Sequence, residues 1–192
     1  DSVAGYDGAW RVRIMGDGRI VMAGWNQLAG GVYRTVVVRL RPSGAFDTTF
    51  SKDGIAVFDA RAGADDWAYA LELAGGKIVL GIAGVSGEAT VARLMSSGAR
   101  DAAFSGNGVA TFLVGGFYAS DVAVQPDGKI VVGENSSGTG QILRIRPGGG
   151  RDSTFGVNGV TNDPAGPDGI EAIELQVGKI LIAGDSAGVS YV

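Results

Sequence analysis

The sequence predicts an all-β fold built from about four copies of one unit, and three observations predict it. One pattern recurs along nearly the whole chain. The turn residues are unusually frequent, with Gly at 34 of 192 positions and Pro at only five. No segment carries the sustained 3.6-residue apolar period of a helix.

The recurrence begins with a hairpin. GDGRIVMAG (residues 16–24) returns as AGGKIVLGI (74–82), PDGKIVVGE (126–134) and QVGKILIAG (176–184). A tight turn containing Asp-Gly or Gly joins two strands here, the chemistry of a short hairpin loop. The strand before it alternates, as in Val12/Ile14, Leu71/Leu73, Val122/Val124 and Ile173/Leu175. The strand after it is a β-branched run such as Arg19–Ala23 or Lys129–Val132. A variable polar loop follows in each copy: Trp25–Gly31, Gly84–Glu88, Glu134–Gly140 and Asp185–Gly188.

A second segment completes the first three copies. It reads VVVRLRPSGAFDTTFSKDGIAVF (36–58), ATVARLMSSGARDAAFSGNGVATF (89–112) and QILRIRPGGGRDSTFGVNGVT (141–161). The third strand ends in Arg-Leu or Arg-Ile. A turn with Asp/Phe pairs follows: Asp47/Phe50, Asp101/Phe104 and Asp152/Phe155. Short fourth strands come next, such as Ile55–Phe58 and Val109–Phe112. The Asp suits an Asx-type cap that accepts backbone N–H bonds. The Phe is the expected anchor between units.

A four-stranded sheet of roughly 50 residues cannot bury both of its faces alone, so it must stack on copies of itself. Such units are the blades of a β-propeller. The expected domain is a single one over residues 1–192, with repeats near 8–63, 64–116, 117–167 and 168–192 and the last one incomplete. The segments QPDGKIVVGE and ILRIRPGGGRDSTFGVNGV (125–134 and 142–160) resemble the bacterial delta-60 repeat, a β-propeller repeat of surface or secreted proteins. The second and fourth copies lack its Pro-Asp turn. The resemblance implies a propeller fold and export to the cell surface or exterior of a bacterium. It assigns no activity to any residue.

The fourth repeat stops at Val192, inside its expected third strand, and the chain starts at Asp1 rather than Met. Three arrangements fit: a piece of a longer propeller, a small closed ring in which residues 1–7 lend an edge strand, or two copies covering one another's open edges. Association between copies is the preferred expectation, because an open arc exposes two sheet faces.

Composition excludes several chemistries. The sequence contains no His and no Cys. There is therefore no imidazole base, no thiolate nucleophile and no soft metal site. Sixteen basic residues against 20 acidic ones, with no basic block, disfavour nucleic-acid binding. No apolar run reaches the ~18 residues of a membrane span. No cofactor is expected. The Gly-rich stretch 147–150 lacks the Lys-Ser/Thr of a phosphate loop, and the Asp/Phe turns do not follow the calcium-loop ligand pattern.

The functional expectation is a non-catalytic binding module that holds a protein partner or a glycan through loops on one face. The candidate binding residues are Trp25, Asn26, Asp66, Trp67, Glu88, Glu134 and Asn135. Trp and Asn side chains can stack on and hydrogen-bond a sugar. Trp10 and Trp67 are also read as packing between units. The carboxylates Asp65, Asp66, Glu88, Glu134, Asp168, Glu171 and Asp185 lie outside the repeated skeleton and read as a solvated acidic rim. The alternative is a hydrolase, through paired carboxylates or through Ser186, with Asp185, in the G-x-S-x-G match Gly184–Gly188. That motif needs a strand–turn–helix context and a base, and no His is present to serve.

Overall fold

The computed structural model describes residues 7–28, 30–83, 88–113, 118–135, 140–162, 169–186 and 189–191. Among them there is no helix, and none therefore that is long and apolar enough to cross a membrane. The strands form four successive antiparallel meanders.

The first contains β1 (Asp7–Ile14), β2 (Ile20–Gln27), β3 (Tyr33–Leu40) and β4 (Ile55–Phe58), hydrogen-bonded in that order. The second contains β5 (Trp67–Ala74), β6 (Lys77–Ala83), β7 (Glu88–Met95) and β8 (Val109–Leu113). The third contains β9 (Tyr118–Val124), β10 (Ile130–Asn135), β11 (Gln141–Ile145) and β12 (Val160–Asn162). The fourth contains β13 (Gly169–Gln176), β14 (Lys179–Ser186) and β15 (Val189–Tyr191). A single bridge joins the second and third meanders, between Ala83 at the end of β6 and Tyr118 at the start of β9. The first strands β1, β5, β9 and β13 lie side by side along one inner rim.

The repeated apolar positions build three cores, one between each pair of neighbouring sheets. Val21, Ala23 and Val37 of the first sheet cluster with Leu71, Leu80 and Leu94 of the second. Val79, Val91 and Phe104 of the second cluster with Ile130, Val132 and Leu143 of the third. Val131 and Ile142 of the third meet Ile170 and Ile173 of the fourth. Each buried Val, Leu or Ile side chain contributes roughly 1.5–3 kcal/mol of burial.

The Asp/Phe turn is the device that locks sheet to sheet. The carboxylates of Asp47, Asp101 and Asp152 accept backbone N–H bonds from Thr49, Ala103 and Thr154 at 3.1–3.2 Å, as the Asx reading expects. The Arg that closes the third strand does more than the sequence reading assigned to it. Arg39, Arg93 and Arg144 donate from Nε to Asp47, Asp101 and Asp152, each at 2.8 Å. Their guanidinium groups lie 4.8, 4.8 and 4.3 Å from the ring centroids of Phe50, Phe104 and Phe155, within reach of cation–π attraction. A second cation from the hairpin, Arg19, Lys77 or Lys129, approaches the same carboxylate at 3.4, 3.1 and 3.6 Å.

The unit then grips its successor. Arg39 Nη1 donates to the Ser96 carbonyl, and Arg93 Nη1 to the Pro147 carbonyl at 2.7 Å. Ser51 N–H donates to Ser97 O at 2.8 Å and Ser105 N–H to Gly148 O at 2.9 Å. The Phe50 ring packs under Gly98, where a Cβ would stand 3.0 Å from the ring. Phe50 and Phe104 are fully buried, as the anchor reading expects, whereas Phe155 is only partly so.

The second strands run further than expected. β2 extends through Trp25, Asn26 and Gln27, and β10 through Glu134 and Asn135. Residues read as the start of polar loops are thus ladder residues, paired for example as Asn26 with Arg34 and Glu134 with Gln141.

Candidate functional site

All four innermost strands carry a bulge at the same register. The extra residue is Trp10 in β1, Tyr69 in β5, Ser120 in β9 and Glu171 in β13. A bulge re-aims the side chain it carries and recurs beside functional sites. Three of the bulged residues, Trp10, Tyr69 and Glu171, belong to a row across the inner rim that the ladder residues Tyr118 and Asn135 complete. The Trp10 and Tyr69 rings lie 4.6 Å apart, and the Tyr69 and Tyr118 rings 5.2 Å apart. Asn135 Nδ2 donates to Tyr118 Oη at 2.9 Å and to Glu171 Oε1 at 3.3 Å. Arg11 reaches from β1 to the Ser120 carbonyl at 3.5 Å. Trp10 is 48% exposed and Glu171 is exposed, so the row is open to solvent at both ends. Burial first, and then the Tyr118 hydroxyl, raises the Tyr69 phenol above its ordinary pKa.

A second aromatic group stands at the same end of the strands. Tyr33 bridges Trp25 and Trp67, with ring centroids 5.1 and 5.2 Å away, and Gln27 Nε2 donates to its hydroxyl at 3.0 Å. The Trp25 indole also lies against Gly8, where a Cβ would be 3.0 Å from it. The structure therefore brings Trp25 and Trp67 together, and places Asn135 in the inner row. Trp10 lies on Tyr69 of the second meander, so its contact does run between units, but it stays half exposed there.

The other sequence candidates are structural or buried. Asp66 is fully buried rather than part of a solvated rim. It accepts from Ala60 N–H at 2.8 Å, Arg61 N–H at 3.0 Å and Arg61 Nε at 3.0 Å. Burial nevertheless raises its pKa, against the pull of Arg61. Asp65 accepts from Tyr33 N–H at 2.9 Å, and Glu88 lies 3.5 Å from Arg61. These contacts join the first two meanders. Asp168 lies outside the described residues, as do the loop positions 84–87 and 136–139.

Glu134, expected in the solvated rim and among the binding residues, and Asn26, expected as a loop-borne binding residue, both lie elsewhere. Both are buried in strands, and among the described residues neither side chain has a hydrogen-bond partner. Desolvation pushes the Glu134 carboxyl up to about 8, only partly offset by Arg151. Glu134 is therefore mostly protonated at neutral pH, because an ion without partners in an apolar site neutralises instead.

Ser186 is the last residue of β14, paired in the ladder with Val189, and Asp185 pairs with Gly169 and Ser190. Neither residue begins the loop that the sequence reading assigned to it, and the backbone of Ser186 runs strand into strand. A nucleophile elbow requires strand into helix. Among the described residues no three Asp or Glu side chains gather closely enough to hold a metal ion.

The bulge row was missed from sequence. Its only signal is a residue after Ala9, Ala68, Ala119 or Ile170 that breaks the two-residue alternation, and bulges leave no fixed sequence signature.

Residues 16–50 and 125–155 match the family model described as domain of unknown function (DUF5122) beta-propeller. Among solved structures the chain is similar to a protein of unknown function from Bacteroides caccae, with a TM-score of 0.58 at 13% identity. That match covers 92% of this chain and 53% of the other, so this chain spans about half the length of its structural neighbour. No curated protein matches the sequence. Stacked sheets without a helix among the described residues, the family match and the shared fold agree on an all-β chain of the β-propeller type.

Proposed function

We propose that the chain is a non-catalytic binding module that holds a glycan on the inner rim. The observation that carries this reading is the row Trp10–Tyr69–Tyr118, continued by Asn135 and Glu171 across four meanders. Aromatic faces pack on the apolar faces of sugar rings, while an amide and a carboxylate at the end of the row select hydroxyl groups. The Trp25–Tyr33–Trp67 group on the same end offers a second contact for a longer ligand. The row contains no pair of carboxylates, and the chain has no imidazole, so the site is equipped to hold rather than to cleave.

Finer assignments belong to the same reading. Each meander is one blade of about 50 residues in a single domain, the repeats are of the delta-60 type, and the parent protein is exported from a bacterial cell. A protein loop bearing aromatic or hydroxyl groups is the second class of ligand that the row suits.

The test is a glycan array followed by calorimetry on any hit. Replacing Trp10 or Tyr69 by Ala is expected to weaken binding by at least tenfold, and Ser186→Ala to leave it unchanged. A hit that survives both aromatic replacements, or hydrolysis of p-nitrophenyl esters that Ser186→Ala abolishes, overturns the proposal.

A further inference from the structure

The hairpin of the second meander lacks a carboxylate that its two neighbours supply. Arg19 donates to Asp17 Oδ2 at 2.5 Å, and Lys129 Nζ lies 2.9 Å from Asp127 Oδ2. Both carboxylates sit inside their own hairpins, in Gly16-Asp17-Gly18 and Pro126-Asp127-Gly128. The first meander thus matches Arg19 and Arg39 to Asp17 and Asp47, and the third matches Lys129 and Arg144 to Asp127 and Asp152. Five residues separate Ile14 from Ile20 and Val124 from Ile130, whereas four separate Leu73 from Ile78. The shortened turn is Gly75-Gly76, with no Asp. Lys77 and Arg93 therefore share Asp101, at 3.1 and 2.8 Å. Where the other hairpin cations meet a second carboxylate, Lys77 Nζ meets Met95 Sδ at 2.7 Å. A thioether is a weak acceptor for an ammonium group.

This uncompensated cation opens on a cavity. A space of about 500 Å³ lies between the second and third meanders at their hairpin ends. Lys77, Arg93 and Asp101 line one wall, and Gln125, Pro126 and Ile130 the other. The corresponding space between the first and second meanders is about 280 Å³. The larger lining carries two positive charges and one negative. Arg93 is already committed, to Asp101, to the Pro147 carbonyl and to the Phe104 ring, which leaves Lys77 as the cation a ligand can take. Gln125 has a buried Oε1 with no hydrogen-bond partner among the described residues. We propose that this cavity binds a hydroxy acid whose carboxylate stands in for the Asp that the second hairpin lacks. Its carboxylate pairs with Lys77 in a charge-assisted contact, a hydroxyl donates to Gln125 Oε1, and its carbon body lies on the apolar wall. One spare positive charge suits a monoanion, since the second charge of a phosphate would stand against Asp101. The cavity lies at the opposite end of the strands from the aromatic row, so it is a separate site.

The experiment is an NMR titration of the isotope-labelled full chain with lactate and, separately, with glucuronate. Each is taken to about 50 mM, because recognition through one ion pair falls in the millimolar range. Saturable amide shifts centred on Gly75, Lys77 and Gln125 are expected. Gly75→Asp builds the missing carboxylate into the chain. Gly75 has φ +56° with nothing within 4 Å of an added Cβ, and Asp-Gly is a favoured two-residue hairpin turn, so the fold accepts the change. This variant and Lys77→Gln should each weaken binding about tenfold, the worth of one charge-assisted contact, while Arg19→Gln leaves it unchanged. Binding of lactate, with or without glucuronate, supports the proposal and names a free hydroxy acid; binding of glucuronate alone supports it and names the uronic acid of a glycan. Saturation by neither acid overturns the proposal, as do shifts that chloride reproduces at equal concentration or binding that Gly75→Asp leaves intact.

Discussion

Arg93 and Asp101, eight residues apart in sequence, meet at 2.8 Å while the same guanidinium lies 4.8 Å from the Phe104 ring centroid. A third bond leaves the unit, from Arg93 Nη1 to the Pro147 carbonyl of the next meander at 2.7 Å. One side chain therefore orders its own turn, covers its own aromatic anchor and fastens the neighbouring sheet. Arg39 repeats the arrangement one meander earlier, against Asp47, Phe50 and Ser96.

The Phe anchors should differ in worth according to what covers them. Phe104→Ala removes a fully buried ring and is expected to cost about 3–5 kcal/mol. Phe155 is only partly covered, and Phe155→Ala should cost about half as much, since exposed surface contributes little. Urea unfolding of the two variants checks this. Equal losses would refute the account in which the following meander buries the ring.

Glycines of the same turn should also divide. Gly98 and Gly44 adopt φ of +91° and +86°, so Ala carries backbone strain at both, about 1–2 kcal/mol. At Gly98 the added methyl also stands 3.0 Å from the Phe50 ring, whereas nothing lies within 4 Å at Gly44. Gly98→Ala should therefore lose a further ~1–3 kcal/mol through overpacking, read as a lower unfolding midpoint than that of Gly44→Ala under conditions where the chain is monomeric.

Acid should weaken the turns. Hydrogen bonds from Thr154, opposed by burial and aided by Arg144, hold Asp152 at about 2. Thr49 similarly lowers Asp47, and Asp101 is lowered by Lys77 and its turn despite the cost of burial. These carboxyls take up protons more readily when unfolded. Their contribution is complete above the ordinary carboxylate pKa near 4 and is lost as pH falls toward 2. Melting temperature followed from pH 5 to 2 should drop steeply, and Asp152→Asn should make the drop shallower while lowering the value at pH 5.

Glu134 should act in the opposite direction. Its carboxyl titrates from about 8 in the folded chain against 4.5 as its ordinary value. The unfolded state loses the proton first, so stability is full below pH 4.5 and declines as pH rises toward 8. Glu134→Gln keeps the shape without the ionisation. It should flatten the profile between those limits and raise the melting temperature at pH 8. A wild-type profile that is flat over this window refutes the burial account.

The strand order, the hairpin turns and the inward Phe were legible because each rests on local chemistry repeated several times. Asp-Gly turns, alternating Val and Ile, and the Asp two residues before a backbone N–H all act within a few positions of themselves. The Arg partners were visible as letters in the skeleton but not as contacts, since the link from Arg39 to Ser96 spans 57 residues. Trp25 and Trp67 stood out as letters, but their shared contact with Tyr33 did not. Glu134 occupies the register of Ile82, and no feature of a lone Glu in a polar stretch reveals that neighbouring sheets close over it. The inner row of Trp10, Tyr69 and Tyr118 joins side chains of three meanders, two of them re-aimed by bulges, and no local pattern carries that arrangement.

The grip between meanders falls on main-chain carbonyls: Ser96 and Ser97 in one case, Pro147 and Gly148 in the next. Apart from the glycine (Gly98 and Gly149), which both turns keep, side chains on the receiving turn are therefore free to differ, and they do, from Met-Ser-Ser-Gly to Arg-Pro-Gly-Gly. Copies produced by gene duplication can diverge on that turn without losing their fit. The chain can in this way lengthen by whole units, each accepted by its predecessor before selection has acted on its sequence.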